Sequence, residues 1–135
     1  MRGSGAAADG WSARQVPPLV SDEWLEEHRG DVVLLEVDEE PSVYYAGHIP
    51  GAFPLDWLDD LHHPVQRSFL DGESFGRLMR RVGVSNDSHV VLYGDSANYF
   101  AASAYWLFRY HGHERVSLLD GGRRCWLMRG RVPRT

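Results

Sequence analysis

A single cysteine, Cys125, in 135 residues leaves nothing to pair with in an internal disulfide and suits a reducing compartment. No apolar run approaches the roughly 18 residues of a membrane span, and the N-terminus lacks the apolar core of a secretion signal. A cytoplasmic protein with no membrane partner is expected. Positive charge is short as well: 14 Lys and Arg against 19 Asp and Glu give a net charge of -5, and the arginines are scattered apart from short pairs. Nucleic acid is therefore not an expected partner. His62-His63 and the His111, His113 pair lack further ligands at metal spacing, so no metal and no cofactor are expected. What is present is 43% apolar and 12% aromatic residues, enough for a packed core. The length fits one compact domain and leaves no room for a second, catalytic one.

The stretch Val90 to Tyr99 organises the chain. Four apolar, β-prone residues run into Gly94-Asp95-Ser96, and an apolar-periodic helix follows over about 98–110. In an open parallel sheet such a loop lies at the carboxyl end of the strands, where ligands bind, with backbone amides gathered at a helix N-terminus. Yet Gly94, Asp95, Ser96, Ala97, Asn98 and Tyr99 include no cysteine, histidine, lysine or arginine. The position suits chemistry but holds no nucleophile. Asp95 is expected to cap the helix and to occupy amides that would otherwise receive an anion.

Around this stretch, Met1 to Pro18 reads as a flexible leader opening on what resembles a vector scar, residues 19–130 as the domain, and Arg131 to Thr135 as the start of a linker or tail. Leu19-Val20 reads as a short edge strand and Ser21 as a helix cap. Val32 to Val37 is a nearly continuous apolar run, a strand buried on both faces. Asp38, Glu39 and Glu40 after it read as a solvated turn before Pro41. Pro50-Gly51 makes a turn into a strand over Ala52 to Leu55, with His48 tying the preceding helix end to it. Phe75, Leu78, Met79 and Val82 space an amphipathic helix stopped by Gly83, with Arg77, Arg80 and Arg81 on its wet side. The helix after the central loop is apolar over most of its circumference and is expected to be largely buried. The excess of aromatics near its start leaves the second reading that one side packs against something outside this chain. Arg115 to Leu119 is the last strand, and Arg123 to Arg129 a short helix. Cys125, next to arginines, is a candidate reactive thiol with a core residue as the plainer reading.

Tyr44, His48-Ile49-Pro50-Gly51-Ala52 and Leu55 have the spacing of the N-terminal signature of rhodanese-type sulfurtransferases. The stretch Gly112 to Gly122, with its closing Gly121-Gly122 and then Trp126, resembles that family's last strand, double-glycine turn and tryptophan helix. The two signatures are together specific. The resemblance implies an α/β, three-layer sandwich with a five-stranded parallel sheet and helices on both faces. Catalytic members carry a cysteine at the end of the fourth strand, in a loop with Gly and Arg, which shuttles sulfane sulfur from thiosulfate to cyanide or another thiol. Here Gly94 stands at that position and no arginine occurs between Gly94 and Tyr105.

The chain therefore looks like the non-catalytic N-terminal half of a tandem sulfurtransferase. The partner this implies is a catalytic rhodanese domain, the C-terminal half, or a second copy through the same edge. Asp38, Asp95, Asn98 and Tyr99 are expected on that edge. The alternatives are a stand-alone binding or regulatory module and an atypical sulfurtransferase using Cys125; a phosphatase of this fold would also need a loop cysteine and arginine.

Overall fold

The structure, a computed structural model, describes residues 16–40, 42–57, 59–62, 70–94, 98–123 and 126. The leader up to residue 15, His63, the loop residues Asp95, Ser96 and Ala97, Cys125 and the segment from 127 on lie outside the described residues.

Five strands build one sheet: β1 (Leu19–Val20), β2 (Val32–Asp38), β3 (Phe53–Asp56), β4 (His89–Tyr93) and β5 (Val116–Leu119). All pairs are parallel and the order is β1-β5-β4-β2-β3. The central strands β4 and β2 are the most buried, because parallel strands covered on both faces have no wet side. On one face, α3 (Gly72–Val82) and α4 (Tyr99–Tyr110) cover Leu35, Val37, Val90 and Leu92 with Phe75, Leu78, Met79, Ala101, Ala104 and Phe108. On the other, Leu25 of α1 (Asp22–His28), Tyr44 of α2 (Ser42–Ala46) and Trp126 meet Leu34, Val91 and Tyr93. The sheet is thus the middle of three layers, as the resemblance implied.

The local signals explain the ends of these elements. Ser21 Oγ accepts from Trp24 N at 3.0 Å, capping α1, and Asp71 Oδ1 accepts from Ser74 N at 2.8 Å, capping α3. Gly83 closes α3 at φ +82°, a left-handed conformation that favours glycine. Arg77 and Arg81 on the wet side of α3 pair with Glu73 and Asp60. His48 does tie its helix: Nδ1 donates to Tyr44 O at 3.1 Å and its ring stacks on Tyr44. Among the described residues no helix is long and apolar enough to cross a membrane.

Leu118 N donates to Pro18 O at 2.8 Å, extending the β1–β5 ladder one residue upstream of Leu19. Two expectations need correction. Asp38 is not in a solvated turn; it is the last residue of β2 and only 3% exposed, with Glu39 and Glu40 alone reaching water. α4 is buried on one face only, because the sheet it covers is one layer deep: Tyr99, Trp106 and Tyr110 stand out on the opposite side.

Candidate functional site

The site is the carboxyl end of the sheet where β4 passes into α4. Gly94, the first residue beyond β4, runs so close to β2 that an ideal Cβ would overlap the Val37 carbonyl oxygen and lie 3.1 Å from the Val37 carbonyl carbon. Asp38 Oδ1 stands 3.4 Å from the same point. Only glycine fits this backbone path, whatever side chain is wanted.

The loop is closed by Asn98. Its backbone takes φ +67°, and its side chain spans two strand ends: Oδ1 accepts from Gly94 N at 3.0 Å and Nδ2 donates to Leu119 O at 2.7 Å. Asn98 also sits against Gly122, at φ +59°, where a Cβ would come within 2.9 Å of Asn98 Cγ. The double glycine is therefore a seat for Asn98. The residue before α4 is Asn98, whose amide bridges the strands rather than capping the helix; the expected cap, Asp95, lies outside the described residues. Asn98 was expected only on the loop edge, because a bond to Leu119, 21 residues further on, leaves no local signal. Asn98→Ala should lower stability by about 2 kcal/mol in a urea titration, since it strands the Gly94 amide and the Leu119 carbonyl and puts alanine at positive φ. A loss below about 0.5 kcal/mol would show both groups satisfied elsewhere.

Beneath the loop lies a buried polar cluster that the sequence reading passed over. Glu36 of β2 is opposite Tyr93 of β4 in the ladder and fully buried, and neither carboxyl oxygen makes a hydrogen bond of good geometry. Burial, reinforced by Asp38, pushes its pKa up to about 8, against a smaller opposing pull from Arg123. Burial also raises Tyr93, whose hydroxyl accepts from Ile49 N at 3.1 Å. Arg123, after the double glycine, donates Nη2 to Val43 O at 3.2 Å. Arg123 is thus held by α2 and close enough to the buried acid Glu36 to pull its pKa down. The available signal was a lone ionisable residue inside the run Val32 to Val37.

The structure brings Gly94, Asn98, Asp38 and Tyr99 to one end of the sheet. Asp38 and Asn98 are turned inward, and Tyr99 is exposed, its ring edge-on to Phe100, which in turn meets Trp57. Asp95, Ser96 and Ala97 belong to the same loop but lie outside the described residues, as does Cys125. The signature residues have structural work: Tyr44 OH donates to Ala52 O at 2.7 Å, Pro50 O accepts from Arg29, Gly51 and Gly121 turn at φ +91° and +80°, and Trp126 is buried under the guanidinium of Arg29. His62, His111 and His113 each bond a backbone carbonyl. Among the described residues no group of three or more His, Cys, Asp or Glu is placed to hold a metal. The described part of the loop offers aromatic surface and no nucleophile, its Gly94 amide being taken by Asn98.

The family model described as rhodanese-like domain matches residues 21–129. The sulfur carrier protein TtuD of Thermus thermophilus is 51% identical over 115 residues, which are 84% of this chain and 40% of that protein. A putative thiosulfate sulfurtransferase of Mycobacterium bovis is 50% identical over 115 residues, 42% of its length. The chain thus spans about two fifths of these relatives. Among solved structures, SseA from Escherichia coli, described as showing the rhodanese fold and catalytic mechanism of 3-mercaptopyruvate sulfotransferases, superposes with TM-score 0.77 at 28% identity, over 88% of this chain and 50% of that one.

Proposed function

The chain belongs to the rhodanese-like domain family, and from that premise we propose that it is a non-catalytic rhodanese domain of a thiosulfate sulfurtransferase. In the parent reaction a thiolate of a catalytic domain attacks the sulfane sulfur of thiosulfate, sulfite leaves, and cyanide or an acceptor thiol takes the sulfur from the persulfide. This chain shapes and dries the pocket in which that happens. The observation that carries the reading is Gly94: the place of the catalytic cysteine has no room for a Cβ, so a thiolate cannot be mounted there without moving β2. Support also comes from the relatives, which have more than half their length beyond the matched part. The exposed Tyr99 and the Phe100–Trp57 pair give the rim an aromatic surface for the catalytic half. The single cysteine supports a cytoplasmic setting.

The test is thiocyanate production by a catalytic rhodanese half, supplied as a separate polypeptide, with and without this chain. Addition of the chain should raise the rate several-fold, and Tyr99→Ala should weaken that gain at least about fivefold while leaving the domain's melting temperature within about 2 °C, because Tyr99 is exposed. A large loss of thermal stability would make Tyr99 a core residue. No effect of the chain on the rate, with Tyr99 intact, would remove the pocket-shaping role.

A further inference from the structure

α4 has a second face that the sheet does not use. Ala101, Ala104, Leu107 and Phe108 are buried, whereas Tyr99, Trp106 and Tyr110 remain 67%, 67% and 83% exposed. At about 100° per residue these three rings and Ser103 fall within an arc of about 60°. Their spacing is i, i+4, i+7, i+11, the seam by which one helix packs along another. No charged side chain interrupts it. Beside the seam runs a groove of about 1000 Å³ between α4 and the start of α3, walled by Leu70, Leu107, Trp106 and Tyr110 together with the charged Asp71 and Arg109.

The order of sizes along the seam identifies what fits it. Turn a second α4 antiparallel about a point midway between residues 104 and 105, and position 99 meets 110 while 103 meets 106. Each Trp106 then faces a serine, and each Tyr99 a Tyr110: bulk over a small residue at the centre, ring against ring at the ends. A twofold contact needs such self-complementarity, whereas an unrelated partner does not require it. We propose that the chain pairs with a second copy of itself through α4, antiparallel across a twofold axis, with Trp106 of each copy seated over Ser103 of the other.

The area agrees with a reversible pair. A large aromatic side chain buries about 150–250 Å², so the exposed parts of three rings offer roughly 300–550 Å² per copy. Two copies approach the roughly 1,000 Å² at which specific interfaces begin. Neither sheet edge competes well: β1 has two residues, and β3 carries Pro54, which cannot donate to an added strand.

Sedimentation equilibrium of the chain over about 1–200 µM tests this. The expected result is a monomer–dimer equilibrium with a Kd of about 10–100 µM. Trp106→Ser should raise that Kd at least tenfold with an unchanged circular dichroism spectrum and melting point, since residue 106 is exposed. Ser103→Trp should also weaken the dimer, although it adds apolar surface, because ring would then meet ring at the centre. Monomer throughout would overturn the proposal and leave the seam to a different domain. A dimer indifferent to Trp106→Ser would place the contact elsewhere, and one tightened by Ser103→Trp would reduce the seam to unspecific stickiness. Tyr99 ends this seam and also stands on the rim of the proposed function, so the two contacts exclude each other at that ring. Neither variant touches Tyr99 or the Gly94 loop, and a monomeric result would leave the proposed function standing.

Discussion

Alanine at residue 94 is expected to lower the melting temperature by about 10 °C or more, and cysteine there to do the same without producing thiocyanate from thiosulfate and cyanide. The cause is steric. The added Cβ overlaps the Val37 carbonyl oxygen, a backbone atom of the strand next to β4, so relief requires separating β2 and β4 where they are paired from Val32–His89 to Glu36–Tyr93. Overpacking of this kind costs about 3 kcal/mol or more when backbone must move, and in a domain of this size each kcal/mol is worth about 4 °C. The same shift would detach Gly94 N from Asn98 Oδ1, loosening the link to β5. A cysteine variant that melts with the wild type and turns over thiosulfate would show that the loop had merely lost its side chain. Unchanged stability in the alanine variant alone would show that the close approach to Val37 relaxes freely.

The second large effect is on pH. Glu36 is raised by burial from 4.5 to about 8 in the folded chain, so between those values the folded state holds a proton that the unfolded chain has released. Its contribution to stability is complete below about pH 4.5 and is lost as pH rises toward 8. His89 acts in the opposite sense. Burial, with a smaller push from Arg115, lowers it from 6.5 to about 4, so its contribution is present above 6.5 and is lost as pH falls. His113, lowered chiefly by burial, follows the same direction. Between pH 4.5 and 6.5 the two effects oppose each other. From 6.5 to 8 only Glu36 is left changing among these groups, and stability should fall by up to about 1.4 kcal/mol per pH unit. That is a drop in melting temperature of about 5–8 °C over the interval. Glu36→Gln, neutral at every pH, should flatten this limb and melt above the wild type at pH 8. A wild-type curve that rises from pH 6.5 to 8, or an unchanged slope in the glutamine variant, would mean that Arg123 keeps Glu36 ionised.

The layers of the fold were readable because they rest on local signals. The apolar run Val32 to Val37, the spacing of Phe75, Leu78, Met79 and Val82, and the caps at Ser21 and Gly83 each fix an element by its own chemistry. The site was readable in outline, since a strand, a glycine and a helix in succession define the end of β4. What escaped was contact across the sequence. Nothing near Gly94 reveals that Val37 occupies its Cβ space, and nothing near Asn98 reveals that Leu119 accepts its amide. Asp38 was misread as wet because its neighbours Glu39 and Glu40 are, and pairing with Asp56 in β3 decided otherwise. The exposed side of α4 was signalled only by the excess of aromatics near its start, because an apolar helix reads as buried until the number of layers around it is known.

The central claim is that this chain holds no sulfur-transferring thiolate, and the intact mass after incubation with thiosulfate tests it most directly, with and without cyanide and beside a Cys125→Ser copy. The account predicts an unchanged mass in every sample and no thiocyanate. A gain of one sulfur that cyanide removes, seen in the wild type and absent from the serine copy, would make Cys125 the acceptor and contradict the reading of the Gly94 loop as a non-catalytic wall.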